Sequence, residues 1–92
     1  MLSLAELEIN ARKLADNKKE LSVSLGLTSV EINKLLGIIS GILSSFDKEI
    51  KVYSGFDIVE TLISKGYISK NKKGNVIPNE ITYDIWNKYQ TL

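Results

Sequence analysis

The sequence predicts a mainly α-helical fold, a small bundle of about five helices with a short β-hairpin before the C-terminal helix. Apolar residues recur every three or four positions along most of the chain, which is the spacing of one helix face. A Lys-Lys-Gly-Asn turn at residues 72–75 separates two short extended pieces and predicts the hairpin. Three pairs of a hydroxyl residue and an acid three positions later are typical of helix starts; they are Ser3 with Glu6, Thr28 with Glu31 and Ser54 with Asp57.

The composition indicates a single folded domain over residues 1–92, since 43% of the residues are hydrophobic and the formal net charge is only +1. The sequence contains no cysteine and no histidine. Disulfide bonds, zinc sites of thiolates or imidazoles, and catalysis by either side chain are therefore excluded. The N-terminus has no basic region followed by an apolar run, and the most apolar window, residues 35–43, is too short to span a bilayer. We expect a soluble cytoplasmic protein.

The first predicted helix runs from about Leu4 to Ala15, and Asp16 and Asn17 are expected to end it. Its core-facing residues are predicted to be Leu4, Leu7, Ala11 and Leu14. A short second helix is predicted for Lys18–Leu25, ended by Gly26, a residue suited to the left-handed conformation that closes helices.

The third predicted helix starts at Thr28 or Ser29 and extends to Phe46, and its many apolar residues predict the central position in the bundle. Residues 47–53 alternate in polarity and predict a short strand or an extended link. A fourth helix is predicted for Gly55–Lys65 and a last one for Asn79–Tyr89. The predicted core-facing residues of the last helix are Ile81, Ile85, Trp86, Tyr89 and Leu92.

The stretch KKELSVSLGLTSVEINKLLG, residues 18–37, has the residue mixture of a helix-turn-helix. Ser22 supplies a small side chain where two helices cross, Gly26 supplies the turn, and Leu27 fills the junction. Ile32 and Leu35 would hold the second helix against the first. The same residues also suit two packed helices of an ordinary bundle.

In this register the segment resembles the helix-turn-helix of phage repressor and Cro type DNA-binding proteins. The resemblance implies a small regulator that binds double-stranded DNA, of phage or other mobile-element origin, and that commonly acts as a dimer. Asn33 has the amide geometry to read adenine, and Lys34 suits guanine or phosphate. A candidate dimer surface is the C-terminal helix around Trp86, although burial within the monomer explains that residue equally well. The residues that the resemblance implies as DNA contacts are Thr28, Ser29, Val30, Asn33, Lys34 and Gly37.

The sequence LISKGYISKNKKGNVIPNE, residues 62–80, resembles the end of a winged-helix domain, with a helix, a short strand, a basic wing and a returning strand. The resemblance implies that Lys70, Lys72 and Lys73 hold phosphates without reading sequence. A winged helix normally places its wing directly after the reading helix, whereas here a whole further helix is predicted between Leu36 and the hairpin. Either residues 55–65 are therefore the reading helix, or the wing flanks a helix-turn-helix formed upstream. The alternative is a solvated turn kept soluble by lysines.

Catalysis is not expected. The acidic residues are scattered, the sequence has no phosphate-binding glycine loop, and no histidine is present to activate a serine. We expect the protein to work without a cofactor or metal ion.

The competing hypothesis is a protein-interaction module. Residues 18–37 also resemble the second and third helices of death-fold domains, although Lys18 stands where that family usually has a tryptophan. A small phage or plasmid protein that inhibits a host factor is a third hypothesis. Either would use an exposed apolar patch, for which Tyr53, Tyr67 and Tyr83 are candidates.

Overall fold

The computed structural model describes residues 3–91, which form four α-helices and one β-hairpin. The predicted mainly helical fold with a hairpin before the last helix is confirmed. Leu92, predicted to face the core, lies outside the described residues. In chain order the elements are α1 (Leu4–Leu25), α2 (Ser29–Ser44), α3 (Phe56–Ser64), β1 (Ser69–Lys70), β2 (Val76–Ile77) and α4 (Glu80–Thr91).

The two predicted helices Leu4–Ala15 and Lys18–Leu25 are one continuous helix, α1, so the described chain has four helices where about five were expected. The predicted break at Asp16 and Asn17 is wrong because Asn17 faces inward. Its side chain is buried, and its Nδ2 donates a hydrogen bond to the backbone oxygen of Tyr89 at 2.7 Å. Carbonyls near a helix C-terminus lack partners within the helix. Asn17 therefore ties α1 to the end of α4.

The first half of α1 does not pack against the rest of the molecule. Every residue from Ser3 to Lys13 is exposed, and Leu14 is half-buried. Leu4 is 86% exposed and Leu7 is 50% exposed. The prediction that Leu4, Leu7 and Ala11 face the core is therefore wrong, and burial on this helix is confined to Asn17 and Leu21.

The central position predicted for the third helix is confirmed by α2, which supplies much of the core. Phe46, the predicted last residue of this helix, is fully exposed, because α2 ends at Ser44 and the chain leaves the helical periodicity before Phe46. The buried residues of α2 are Ile32, Leu35, Leu36, Ile38, Ile39 and Ile42.

Helix caps were predicted correctly at two of three places. Thr28 and Glu31 form a reciprocal capping box at α2, as Ser3 and Glu6 do at α1. At α3, Gly55 occupies the capping position in the left-handed conformation (φ +68°) and no side chain caps the helix. The predicted cap from Ser54 and Asp57 is therefore wrong, because the chain enters α3 through the glycine.

The hairpin pairs β1 and β2 antiparallel, with Ser69 opposite Ile77 and Lys70 opposite Val76. Ile50, in the segment between α2 and α3, forms a further antiparallel bridge to Val76. The extended link predicted for residues 47–53 is thus attached to the hairpin at Ile50.

A buried polar group anchors the start of α4 to the hairpin. The side-chain oxygen of Asn79 accepts a hydrogen bond from the backbone N–H of Thr82 at 3.1 Å. The Thr82 hydroxyl accepts one from the backbone N–H of Asn79 and donates one to the backbone oxygen of Tyr67 at 2.7 Å. Of the residues predicted to face the core, Ile85 is buried, Trp86 and Tyr89 are half-buried, and Ile81 is exposed.

No single helix among residues 3–91 is both long and apolar enough to cross a membrane. Only α1 and α2 counted together reach that length and composition, and they are bent by 109°.

Replacing Thr82 with valine is expected to lower the free energy of unfolding by about 1–3 kcal/mol, because the Asn79 N–H and the Tyr67 carbonyl would lose a buried partner. Urea unfolding followed by circular dichroism measures the change. Thr91→Val is the matched control, since the exposed Thr91 hydroxyl bonds only its own helix. Equal effects of the two substitutions would contradict the anchoring role of Thr82.

Candidate functional site

The three residues that join α1 to α2 fix the angle between these helices, which is 109°. Gly26 adopts the left-handed conformation (φ +67°), and its N–H donates a hydrogen bond to the backbone oxygen of Val23 at 3.2 Å. The N–H of Leu27 donates to the backbone oxygen of Ser22 at 2.8 Å. These two bonds form a Schellman closure, in which the glycine reverses the chain direction.

The junction between α3 and β1 supports this turn from outside. The hydroxyl of Tyr67 donates a hydrogen bond to the backbone oxygen of Leu25 at 2.7 Å, which satisfies a carbonyl at the end of α1. A Cβ atom on Gly26 would lie 3.9 Å from Nζ of Lys65, so this ammonium group sits beside the turn. Leu27 itself is buried in the core.

The first turn of α2 is occupied by its own cap. The N–H of Thr28 donates to a carboxylate oxygen of Glu31 at 2.8 Å, and the N–H of Glu31 donates to the Thr28 hydroxyl at 3.2 Å. The bond from the Thr28 backbone, helped by the Thr28 hydroxyl and by the nearby charge of Lys65, holds the pKa of Glu31 below its ordinary value. Of the DNA contacts predicted within residues 28–37, Thr28 is therefore already engaged in the helix cap.

An open stripe runs along the side of α2 that faces away from the core. Ser29, Val30, Asn33 and Gly37 are all exposed, with Val30 at 63%. Apart from its chain neighbours and the backbone of its own helix, no heavy atom of the described chain lies within 4 Å of the position that a Cβ on Gly37 would take. Four of the six residues predicted on this helix therefore share one accessible surface, which we call the α2 stripe.

Lys34 lies at the edge of the α2 stripe rather than on it. Its side chain is half-buried, and its Nζ and Cε atoms are 3.2 Å from the position that a Cβ on Gly55 would take. The ammonium group thus leans towards the start of α3, beside the stripe.

Lysines border the α2 stripe on both sides. A cleft between the two helices is lined by Lys18 and Lys19 of α1 together with Ser29 and Asn33 of α2. On the other side, a groove is lined by Asn33, Lys34 and Gly37 together with Lys51 of the extended segment. Asn33 lies on the border of both depressions, so it is at the centre of a surface with positive charge to either side.

Sequence reasoning missed three of these lysines. Lys18 and Lys19 precede Ser22, the predicted crossing point, by one helical turn, and that spacing is a signal that would have found them. Lys51 had no local signal, because its position beside α2 depends on the bridge between Ile50 and Val76.

The hairpin lysines are placed differently from the α2 stripe. Nζ of Lys70 lies 3.3 Å from a carboxylate oxygen of Glu60, and Nζ of Lys73 lies 3.8 Å from one of Glu49. Lys72 is exposed and forms no ion pair with any residue of the described chain. None of the three lines either depression beside the stripe, and two of the three charges are compensated.

Helix α3 presents negative charge to solvent. Asp57 and Glu60 are both exposed on this helix, and Glu60 is paired with Lys70, so a phosphate backbone would be repelled chiefly by the Asp57 carboxylate. Among residues 3–91, no three acidic side chains come close enough to hold a metal ion.

Comparison of this chain with protein-family models, with curated proteins and with solved structures finds no match.

Replacing Gly26 with alanine is expected to cost about 1–2 kcal/mol in the free energy of unfolding, because a residue with a Cβ is strained at a φ of +67°. Gly37→Ala is the matched control. It adds the same methyl group in open space within a helix and is expected to stabilise the protein by about 0.5–1 kcal/mol. Urea unfolding of both variants measures the contrast, and a shared sign would refute this role of Gly26.

Replacing Glu31 with glutamine is expected to lower the melting temperature above pH 4.5, its ordinary pKa, and to matter less as the pH falls. A carboxyl group whose pKa is depressed by folding stabilises the folded state while ionised, and it loses that contribution as the pH falls through its folded pKa. Glutamine keeps the capping hydrogen bonds, so the substitution isolates the charge. Thermal melts from pH 7 to pH 3 would contradict this role if the difference between the proteins stayed constant.

Proposed function

We propose that this protein binds double-stranded DNA through the α1–α2 pair, as a small transcriptional regulator in which α2 enters the major groove. The observation that carries the proposal is the α2 stripe with lysines on both sides. A helix with one face in the core and the other face polar, open and bordered by positive charge suits insertion between two phosphate backbones.

The geometry of the helix pair supports the proposal. Helix-turn-helix units join two helices at about 90–120° through a turn of three or four residues, often with a glycine. Here the angle is 109°, and the turn of residues 26–28 contains Gly26. From Ser29 to Gly37 the helix rises about 12 Å, which is comparable to the width of the major groove.

Each residue of the α2 stripe has a role that fits its chemistry. The Asn33 amide reads an adenine edge through two hydrogen bonds, and Val30 packs against a thymine methyl group. The Ser29 hydroxyl bonds phosphate or base, and Gly37 lets the duplex approach the helix backbone. Thr28 acts through the helix start that it caps.

The lysines beside the stripe hold the phosphate backbone without reading sequence. Lys18 and Lys19 would contact one strand from α1, and Lys34 and Lys51 the other from the opposite side. Lys72 offers a further contact from the hairpin, whereas Lys70 and Lys73 would first have to leave Glu60 and Glu49.

The second candidate function is a protein-interaction module, which exposed aromatic side chains favour. Phe46 is 104% exposed and Tyr53 is 79% exposed. Tyr83 is exposed as well, whereas Tyr67 is half-buried and bonded to the end of α1. Under this function, substitutions at Phe46 and Tyr53 would abolish the capture of a partner and those on the α2 stripe would be silent.

The DNA proposal predicts salt-dependent binding to a labelled random-sequence duplex, measured by fluorescence anisotropy. The logarithm of affinity should fall linearly with the logarithm of salt concentration, with a slope of roughly 0.9 for each phosphate neutralised. The double variant K18A/K19A should reduce that slope by about 1–2. The matched control K70A/K73A removes two charges that are already paired and should change the slope less.

Sequence-specific binding is tested with the duplex that the protein selects from a random library. Asn33→Ala should weaken binding to that duplex by roughly 5- to 150-fold, which corresponds to a bidentate base contact of about 1–3 kcal/mol. Its affinity for random DNA and its melting temperature should stay unchanged. No binding of the folded protein at low salt would overturn the proposal. A larger decrease of the salt slope in K70A/K73A than in K18A/K19A would place the interface at the hairpin instead.

A further inference from the structure

Glu49, in the extended segment between α2 and α3, is held by three side chains of the hairpin loop. One of its carboxylate oxygens accepts hydrogen bonds from the side-chain amides of Asn71 and Asn75, the latter at 3.1 Å. The other oxygen lies 3.8 Å from Nζ of Lys73. The Glu49 side chain is only 15% exposed, so these contacts replace most of its hydration. We call this set of contacts the Glu49 clamp.

The hairpin loop is shaped by the same asparagine that binds Glu49. The side-chain oxygen of Asn71 accepts hydrogen bonds from the backbone N–H groups of Lys73 and Asn75, both at 3.0 Å. Both ends of the Asn71 side chain are therefore used, the oxygen to close the loop and the nitrogen to bind Glu49.

The Glu49 clamp fixes the start of the stretch that carries Lys51. Directly after Glu49, Ile50 exchanges two backbone hydrogen bonds with Val76, at 3.1 and 2.9 Å. Two methyl groups of Ile50 lie 3.5 and 3.6 Å from the position that a Cβ on Gly41 would take, so this side chain packs on α2. Lys51 therefore leaves a point that is attached to both the hairpin and α2, and it lines the groove beside the α2 stripe.

The side chain of Lys51 has a neighbour of its own and a charge available for a ligand. Its Nζ lies 5.8 Å from the ring centroid of Tyr53, which is within the range of a cation–π contact. Within the described chain Lys51 forms no ion pair. Its ammonium group can therefore meet a phosphate without first leaving a carboxylate.

We infer that the hairpin contributes to DNA binding through the Glu49 clamp, which holds Lys51 in place for the phosphate backbone. The inference rests on the proposed function and adds a positioning residue to it, because Glu49 acts through Lys51 and does not touch DNA. The negative charge of Glu49 by itself opposes the approach of phosphates. Any favourable effect of this residue on DNA binding must therefore come from the position that it gives to Lys51.

The test compares Glu49→Ala with Glu49→Gln in the anisotropy titration of the random-sequence duplex. Both variants remove the same negative charge, but glutamine keeps an oxygen for the amides of Asn71 and Asn75. Charge alone predicts equal binding by the two variants. Positioning predicts that the salt slope of Glu49→Ala is lower than that of Glu49→Gln by roughly 0.9, the value of one phosphate contact. In chains that also carry K51A, the two variants should bind alike.

Hydrogen exchange of the Ile50 and Val76 N–H groups, measured without DNA, reports whether the clamp holds the segment. Exchange should be roughly tenfold faster in Glu49→Ala than in Glu49→Gln, since only alanine releases the amides of the loop. Asn75→Ala removes one donor and keeps the charge of Glu49, so it should act in the same direction and replaces Glu49→Ala if that variant does not fold.

The outcomes separate this inference from the proposed function. Failure of the unmodified chain to bind the duplex would overturn both. Binding by the unmodified chain, with equal salt slopes in Glu49→Ala and Glu49→Gln, would overturn the inference alone. Equal exchange rates in the two variants, or a difference in slope that persists with K51A, would overturn it as well.

Discussion

The left-handed turn at Gly26 is the constraint on which the arrangement of this molecule depends. It closes α1 through two backbone hydrogen bonds and starts α2 at an angle of 109°, so that the apolar face of α2 lies under α1, α3 and α4. Because Tyr67 donates to the last turn of α1, the junction of α3 and β1 is held to the same point. The direction of α2, and with it the outward direction of the α2 stripe, follows from the conformation of one residue that only glycine adopts without strain.

Helix α2 has two faces with separate tasks. Ile32, Leu35 and Ile39 fill the core, while Asn33 and Gly37, which contribute little to it, face solvent. Substitutions on the exposed face therefore change the surface without disturbing the packing. An exposed valine, Val30, and an exposed helical glycine, Gly37, weaken a helix relative to alanine, so the stripe is not composed for helix stability. Packing within the described monomer does not explain either residue.

Local signals in the sequence predicted the parts of this fold that local physics determines. The caps at Ser3 and Thr28 and the closure at Gly26 each depend on residues within five positions of one another. The failures depend on distant partners. The sequence indicated a break at Asn17, because no local signal shows that its side chain bonds Tyr89 at the other end of the chain. Leu4 and Leu7 have the spacing of core residues, but periodicity identifies an apolar face and not what covers it. Lys51 was missed as part of the site for the same reason, since only tertiary pairing brings it beside α2.

The distribution of charge explains how a chain with a net charge of +1 can present a positive surface. Glu31 is taken up by the helix cap and lies near Lys65, while Glu49 and Glu60 accept the hairpin lysines. The pairs of Glu49 and Glu60 neutralise two lysines of the hairpin, the element whose sequence is richest in lysine. The lysines around Asn33 come instead from α1, α2 and the extended segment, where the depressions beside the stripe contain no acidic side chain. Net charge is thus a poor guide here, because Glu49 and Glu60 pair with lysines of the hairpin, whereas the lysines around Asn33 form no ion pair within the described chain.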